Sequence, residues 1–439
     1  MTRFRKVSIL LLLFTVVSAT IKAQEVLRLE DAVRIALENN FDIKIARNDV
    51  EIAENNVSRA NAGMIPAVTG TFSDNNNIQT GRQVRPTGEV TSTKNGRGYS
   101  LNYGVGLNWT VFDGFRMFAR YEQLKELEKL GEANLQLRIL TNIGDVIGRY
   151  YDLVQQQQQL KAYDTAVAIS RLRVRTAQTR FEIGKSARLE VLNAQVDYNT
   201  DTTNLLRQQE QYRNTQIALN ELMGRPVDIS FSVVDDASVN ETLNLAELRE
   251  AASQKSPSLQ AALVSRRIAE LDLKQVKADR YPVIGLASGY NFSRSRSALG
   301  FASLNSNHGF NYGVTASINI FNGFLQRRNE RNARIAIESS QLDYERIKQS
   351  VSSQLASAYQ SYQTNLGLLK LEESNQKIAR QNLDITLEKY RLGSISQIEI
   401  RDAQLNYVNA TVRLNTARAL AKQSEINLLE ISGDLNLNN

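Results

Sequence analysis

From Tyr99 to Val111 apolar and polar residues alternate. Tyr99, Leu101, Tyr103, Val105, Leu107, Trp109 and Val111 hold one parity, and Ser100, Asn102, Gly104, Gly106, Asn108 and Thr110 the other. A period of two is that of a strand with one apolar face and one small, polar face. The pattern returns at Phe310, Tyr312, Val314, Ala316, Ile318 and Ile320, set against Asn311, Gly313, Thr315, Ser317 and Asn319. A shorter run precedes each: Val68 to Phe72, and Ile284, Leu286, Tyr290 and Phe292. Four strands are therefore predicted, in two pairs, each pair joined by a polar loop. An alternating strand of about 12 residues spans roughly 40 Å, long for a globular sheet and suited to a tilted membrane-barrel strand. Aromatic residues near the strand ends (Tyr99, Tyr103, Trp109, Phe112; Phe310, Tyr312, Phe321) fit interfacial girdles. Four strands cannot close a membrane barrel, because eight is the usual minimum. A membrane reading therefore requires several copies.

Residues 113–181 and 322–391 change period. They contain no proline and are rich in Ala, Leu, Gln, Glu, Lys and Arg. Phe118, Tyr121, Leu124, Leu127 and Leu130 recur at helical spacing. A helix of about 65 residues would be about 100 Å long and needs partners along its length. The run of glutamines at 155–159 lies within this pattern and reads as a solvated helical face.

The chain is duplicated. "FEIGKSARLEVLNAQVDY" from Phe181 and "YRLGSISQIEIRDAQLNY" from Tyr390 share a glycine (Gly184, Gly393), an acid (Glu190, Glu399) and an Ala-Gln pair (Ala194-Gln195, Ala403-Gln404), offset by 209 residues. "YGVGLNWTVFDGF" from Tyr103 and "YGVTASINIFNGF" from Tyr312 keep that offset, as do Gly224 and Gly433. Leu29 and Leu245, and Pro66 and Pro282, are offset by 216 residues. The extra residues of the first half fall in the polar stretch "NNNIQTGRQVRPTGEVTSTKNGRG", read as a long loop. A repeat of this length is a duplicated domain. The halves are placed at 24–226, with strands at about 67–73 and 99–112, and 227–439, with strands at about 283–293 and 310–321.

Arg3, Arg5 and Lys6, the apolar run Val7–Val17 and the small residues Ser18, Ala19 and Ala23 have the layout of a secretory signal peptide over 1–23. Its basic residues account for four of the formal charges in the net +7. The remaining excess is small and spread out, which argues against nucleic acid. There is no cysteine, so neither disulfides nor a lipid-bearing cysteine is available. After the signal no apolar window is long enough for a membrane-spanning helix. His308 is the only histidine and sits among Ser and Asn, in what reads as a loop. No Ser/His/Asp triad or His-rich metal site can be built, and "GVG" at 104–106 lacks the spacing of a phosphate loop. No enzyme activity and no cofactor are expected. Glu399 and Asp402 are three apart and share a helix face. "SQIE" from Ser396 reads as a capping box just after a helix-ending Gly393.

The signal, the duplicated halves, the "P-x-V" junctions at Pro66 and Pro282, the "VFDGF" and "IFNGF" exits and the paired glycine-acid-Ala-Gln segments resemble the TolC-like outer-membrane efflux family. The resemblance covers nearly the whole mature chain. It implies a mainly α protomer with a membrane β-barrel part, internally duplicated. Three chains would form a twelve-stranded β-barrel, four strands each, continued by a long periplasmic α-helical barrel. It implies an outer-membrane exit duct reaching into the periplasm, with a periplasmic adaptor (membrane fusion) protein, an inner-membrane transporter and outer-membrane lipid as partners. Glu399 and Asp402 match the pore constriction, where crowded carboxylates would have raised pKa values and favour cations. Glu190 and Tyr390 match a gate link. Ile395 stands where the family has an arginine. Gly184, Lys185, Ser186, Gly393, Ser394 and Ile395 match the tips met by the adaptor. The competing expectation is a periplasmic coiled-coil or adhesin-like rod without channel activity.

Overall fold

The computed structural model describes residues 25–235, 238–297, 299 and 302–435. The signal-peptide reading over 1–23 lies outside these residues. The elements run β1 Glu25–Leu27, α1 Leu29–Asn39, α2 Phe41–Asn56, β2 Ala67–Val84, β3 Val90–Asp113, α3 Arg116–Glu182 and α4 Arg188–Leu222. The same order then repeats: β4 Phe231–Val233, α5 Leu245–Lys255, α6 Pro257–Ala278, β5 Val283–Arg296, β6 Leu304–Ser317, α7 Leu325–Leu392 and α8 Gln397–Ser432. Packing divides the chain into two units. One holds residues up to Ile45, Gln136–Ser256 and Ser350 onward, and the other Ala46–Leu135 and Pro257–Gln349. Each sequence half contributes to both units. No described helix is long and apolar enough to cross a membrane.

The second unit carries the sheet, in the antiparallel order β2-β3-β5-β6. Its two faces differ sharply. On one, Val68, Leu107, Ser288 and Tyr312 form a cross-strand row, and Phe72, Tyr103, Phe292 and His308 another. On the other, Thr71, Gly104, Asn291 and Gly309, then Ser73, Asn102, Ser293 and Asn307, are neighbours. No ionisable residue occupies the small face from Ala67 to Ser73. Position 104 must be glycine, because a Cβ there would come within 2.7 Å of the Tyr290 carbonyl oxygen.

The strands differ from the sequence reading in three places. The polar stretch expected to be a long loop is strand: pairing continues to Val84–Val90, with one shift between Gln79 and Gly81. Alternation cannot mark such a ribbon when both faces are wet, but backbone pairing still forms it. It closes at Arg85–Glu89, where Gly88 has φ 83°. β6 ends at Ser317 rather than near 321, because Ser317 pairs with Val283, the first residue of β5, and no described residue pairs with Ile318–Phe321. His308 is a strand residue stacked on Phe292, ring centroids 5.8 Å apart, not a loop residue.

Strand-to-helix exits repeat in detail. Gly114 and Phe115 have φ of 72° and 66°, and Gly323 and Phe324 both have 64°. A phenylalanine in the left-handed region is uncommon; finding it twice shows that the duplication reaches backbone geometry.

The first unit packs a core of Leu27, Val33, Ala36, Tyr150, Leu153, Leu219, Met223, Phe231 and Ile426. β1 and β4 pair in parallel, and the Tyr150 hydroxyl donates to the Leu27 carbonyl at 3.1 Å. The glutamine run is a packed seam rather than a solvated face. Gln155 donates to Thr416 Oγ1 at 3.0 Å, Gln157 to the Val233 carbonyl at 3.2 Å, and Gln159 is buried. Amide side chains satisfy the edge of β4 and a neighbouring helix, which a period count cannot reveal.

Candidate functional site

Two helical hairpins supply the residues expected to matter, α3–α4 and α7–α8. Both turn the same way. The Gly184 N–H donates to the Phe181 carbonyl and Lys185 N–H to Arg180; Gly393 N–H donates to Tyr390 and Ser394 N–H to Lys389. This paired bonding, with φ of 74° at Gly184 and 80° at Gly393, is a Schellman ending. Gly393→Ala is expected to cost about 1–2 kcal/mol locally, since an L side chain resists this backbone region. Faster amide exchange confined to residues near 390–396 would check it.

The hairpins then diverge. α4 starts at Ala187 without a side-chain cap. α8 starts with the expected capping box: Ser396 Oγ accepts from Glu399 N–H, and the Glu399 carboxylate accepts from Ser396 N–H at 3.2 Å and Oγ at 2.9 Å. The Ser396 backbone and hydroxyl hydrogen bonds hold the Glu399 carboxyl below the usual glutamate range. Within one chain this is opposite to the rise expected from a crowded ring. A depressed folded value contributes stability above the unfolded pKa. That contribution is lost as pH falls through the lowered value, so fraying of α8 at its first turn is expected only below pH 4.5. Backbone exchange across residues 396–400 measures this. Glu399 and Asp402 are both exposed on α8.

Tyr390 is buried against Ile400, Ala403 and Tyr407, with Ile395 packed on the same cluster. Ile395 thus serves as apolar filling where an arginine was expected. An arginine arrives from elsewhere: Arg180 lies over the Tyr390 ring, 4.6 Å from its centroid, and donates to the Tyr390 carbonyl. The Tyr390 hydroxyl is buried and has no hydrogen-bond partner among the described residues. Burial pushes it up, the Arg180 and Arg173 charges oppose this, and the Glu190 charge adds to it. Glu190, in the first turn of α4, is therefore near Tyr390 without bonding it in one chain. Gly184, Lys185, Gly393 and Ser394 are exposed, and Ser186 and Ile395 are half-buried.

Two features escaped the sequence reading. The turns expose apolar side chains: Ile183 and Leu189 at one, Leu392 (83 % exposed) and Ile398 at the other. Farther along the helices lies a buried charge network. Arg173 is 1 % exposed; it donates to Asp197 Oδ2 at 2.8 Å and to Gln404 Oε1 at 3.2 Å. Gln404 Nε2 donates to Ser170 Oγ and Asp201 Oδ2, each at 2.9 Å. Arg401 donates to Asp201 Oδ2 at 2.7 Å. Two arginines and two aspartates thus tie α3 and α4 to α8. The repeated Ala-Gln pair was the available signal: Gln404 is buried in this network, whereas Gln195, its counterpart, is exposed.

Among the described residues no group of His, Cys, Asp and Glu could hold a metal ion. The hairpins thus carry paired exposed acids, apolar turns and a buried ionic tie between α3, α4 and α8.

Outer membrane protein TolC of Vibrio cholerae is 23% identical over 61% of this chain, and the match spans 62% of that protein. Outer membrane efflux protein BepC of Brucella suis is 19% identical, with 91% of this chain and 83% of that protein covered. Among solved structures, the outer-membrane channel OprN has a TM-score of 0.74 at 18% identity, over 92% of this chain and 90% of that one. The Campylobacter jejuni CmeC outer membrane channel also has a TM-score of 0.74, at 17% identity, over 92% and 85%. The family model described as outer membrane efflux protein matches residues 32–225 and 248–434, and the chain belongs to that family.

Proposed function

We propose that this chain is one of three identical protomers of an outer-membrane exit duct, serving a tripartite efflux or type I secretion system. The observation that carries the reading is the sheet. Its apolar face exposes Phe72, Tyr103, Phe310, Tyr312 and Val314, and among the described residues no strand pairs with the outer edges of β2 and β6. A rod in water would leave this face and both edges exposed, at risk of aggregation. Closure with two further copies satisfies the edges, turns the apolar face to lipid and encloses the Asn/Ser/Thr/Gly face as a polar lumen.

The repeats at 24–226 and 227–439 would each supply one β-hairpin to that barrel and one helical hairpin to the periplasmic tube. Glu399 and Asp402 would ring the narrow end. Glu190 and Tyr390 would link neighbouring hairpins only in the assembled closed state, which fits an unsatisfied Tyr390 hydroxyl in one chain. The tips, Gly184–Ser186 and Gly393–Ile395 with the apolar Ile183, Leu189, Leu392 and Ile398, would receive the periplasmic adaptor, and an inner-membrane transporter would supply energy. The duct itself would carry out no covalent chemistry.

The test is extraction of native outer membranes with mild detergent, followed by light-scattering sizing. The expected species has three times the mass of the mature chain. A monomer in the soluble fraction would remove the reading.

A further inference from the structure

We propose that arginines at the rim of the apolar sheet face bind the phosphate groups of a phosphorylated glycolipid in the outer leaflet. This rests on the outer-membrane duct reading. Along β5 the apolar face runs from Ile284 through Leu286 and Tyr290 to Phe292. Those eight steps span about 27 Å along the strand, or about 20 Å along the barrel axis at a tilt of about 40°, most of the ~25 Å band of a membrane barrel. The next residues of the same parity are Arg294 and Arg296.

The register fixes their neighbours. Arg294 lies opposite Leu101, one row beyond Tyr103–Phe292, and Arg296 opposite Tyr99. Arg97, opposite Ile78, continues the same parity along β3. All three arginines are exposed, and none forms an ion pair among the described residues. The acid on these rows is Asp74, opposite Leu101, with β3 between it and Arg294; it accepts a hydrogen bond from Asn76 at 3.3 Å. The rim therefore carries three positive charges against one negative charge per chain.

The side of the membrane follows from the chain path. Helices enter and leave the sheet at the Ala67, Asp113, Val283 and Ser317 end, whereas the arginines lie toward the hairpin turns. A secreted chain inserting from the periplasm leaves its helices there and carries the turns outward. The rim then meets the outer leaflet at headgroup depth. Guanidinium groups bind phosphate through two parallel hydrogen bonds, which suits a rigid, multiply phosphorylated sugar headgroup. The Tyr103–Phe292 stack, 4.8 Å between centroids, supplies a flat apolar wall just below for acyl chains.

The experiment uses the trimer extracted from outer membranes, delipidated in detergent, with binding read by native mass spectrometry and thermal unfolding. Diphosphoryl lipid A is expected to bind and raise the midpoint by several degrees, and its dephosphorylated form to bind at least tenfold more weakly. Arg97→Gln with Arg294→Gln and Arg296→Gln should remove that preference, while the three Arg→Lys changes should retain part of it. Phosphatidylglycerol in the same assay should bind more weakly than diphosphoryl lipid A. Equal binding of the phosphorylated and dephosphorylated forms, or of phosphatidylglycerol, would overturn the proposal and leave the duct intact. Failure to recover a membrane trimer would overturn both.

Discussion

Arg173→Met is expected to cost about 3–5 kcal/mol, the usual result of stripping one partner from a buried ion pair. The side chain is almost fully buried, so its loss removes a bond made away from bulk water. Its loss leaves Asp197 with only Arg401, at 3.5 Å, and leaves the Gln404 carbonyl oxygen without its donor. The network changes from neutral to one net negative charge. Since these bonds join α3 and α4 to α8, the loss should loosen the second hairpin from the first. Under the duct reading the same change raises closed-state conductance, because opening requires that separation. Arg173→Met with Asp197→Leu restores charge balance and should recover part of the stability. The measurement is a double-mutant cycle by thermal unfolding of the extracted protein. A cost below about 1 kcal/mol for the single variant, a value usual for exposed pairs, would show that the network is not a structural tie.

The second large effect is expected at the narrow end. Glu399→Gln with Asp402→Asn should abolish most cation preference in planar bilayers and weaken block by multivalent cations. At 5–8 Å in water each carboxylate attracts a monovalent cation by roughly 0.5–0.8 kcal/mol. Six of them in a trimer therefore approach a hundredfold or greater local enrichment before screening. The barrel stage cannot compensate, because the small sheet face from Ala67 to Ser73 and its partners on the other strands are uncharged. Glu399→Gln also weakens the capping box, since a neutral amide accepts the Ser396 bonds less well. Asp402→Asn alone separates the two roles: it should lower selectivity without fraying α8. Unchanged selectivity in the double variant would remove both residues from the constriction.

Much of this architecture could be read from the chain because each element left a periodic trace. The Tyr99–Val111 alternation and the helical spacing after Phe118 mark structures with one apolar face. Constant offsets tie the halves together, and the glycines at 184 and 393 mark turns that their backbone freedom favours. Where both faces are wet the trace disappears, and the stretch from Asn75 to Gly98 reads as a loop. The glutamine run failed for the opposite reason: its amides are satisfied by Thr416 and Val233, residues far away in sequence. The tip was legible in its turn geometry and capping box but not in its pairing. Ile395 pointed to a missing arginine, yet Arg180, in the other hairpin, covers Tyr390. Contacts between helices depend on rotation about each axis, and one sequence does not display that for a helix of 67 residues.

Single-channel recording of the extracted protein in a planar bilayer tests the central claim most directly. Discrete, cation-preferring openings of low conductance are expected, blocked by multivalent cations from the side bearing the helical tips. Purified protein that inserts no conductance, or whose pore is indifferent to cation charge, would contradict it.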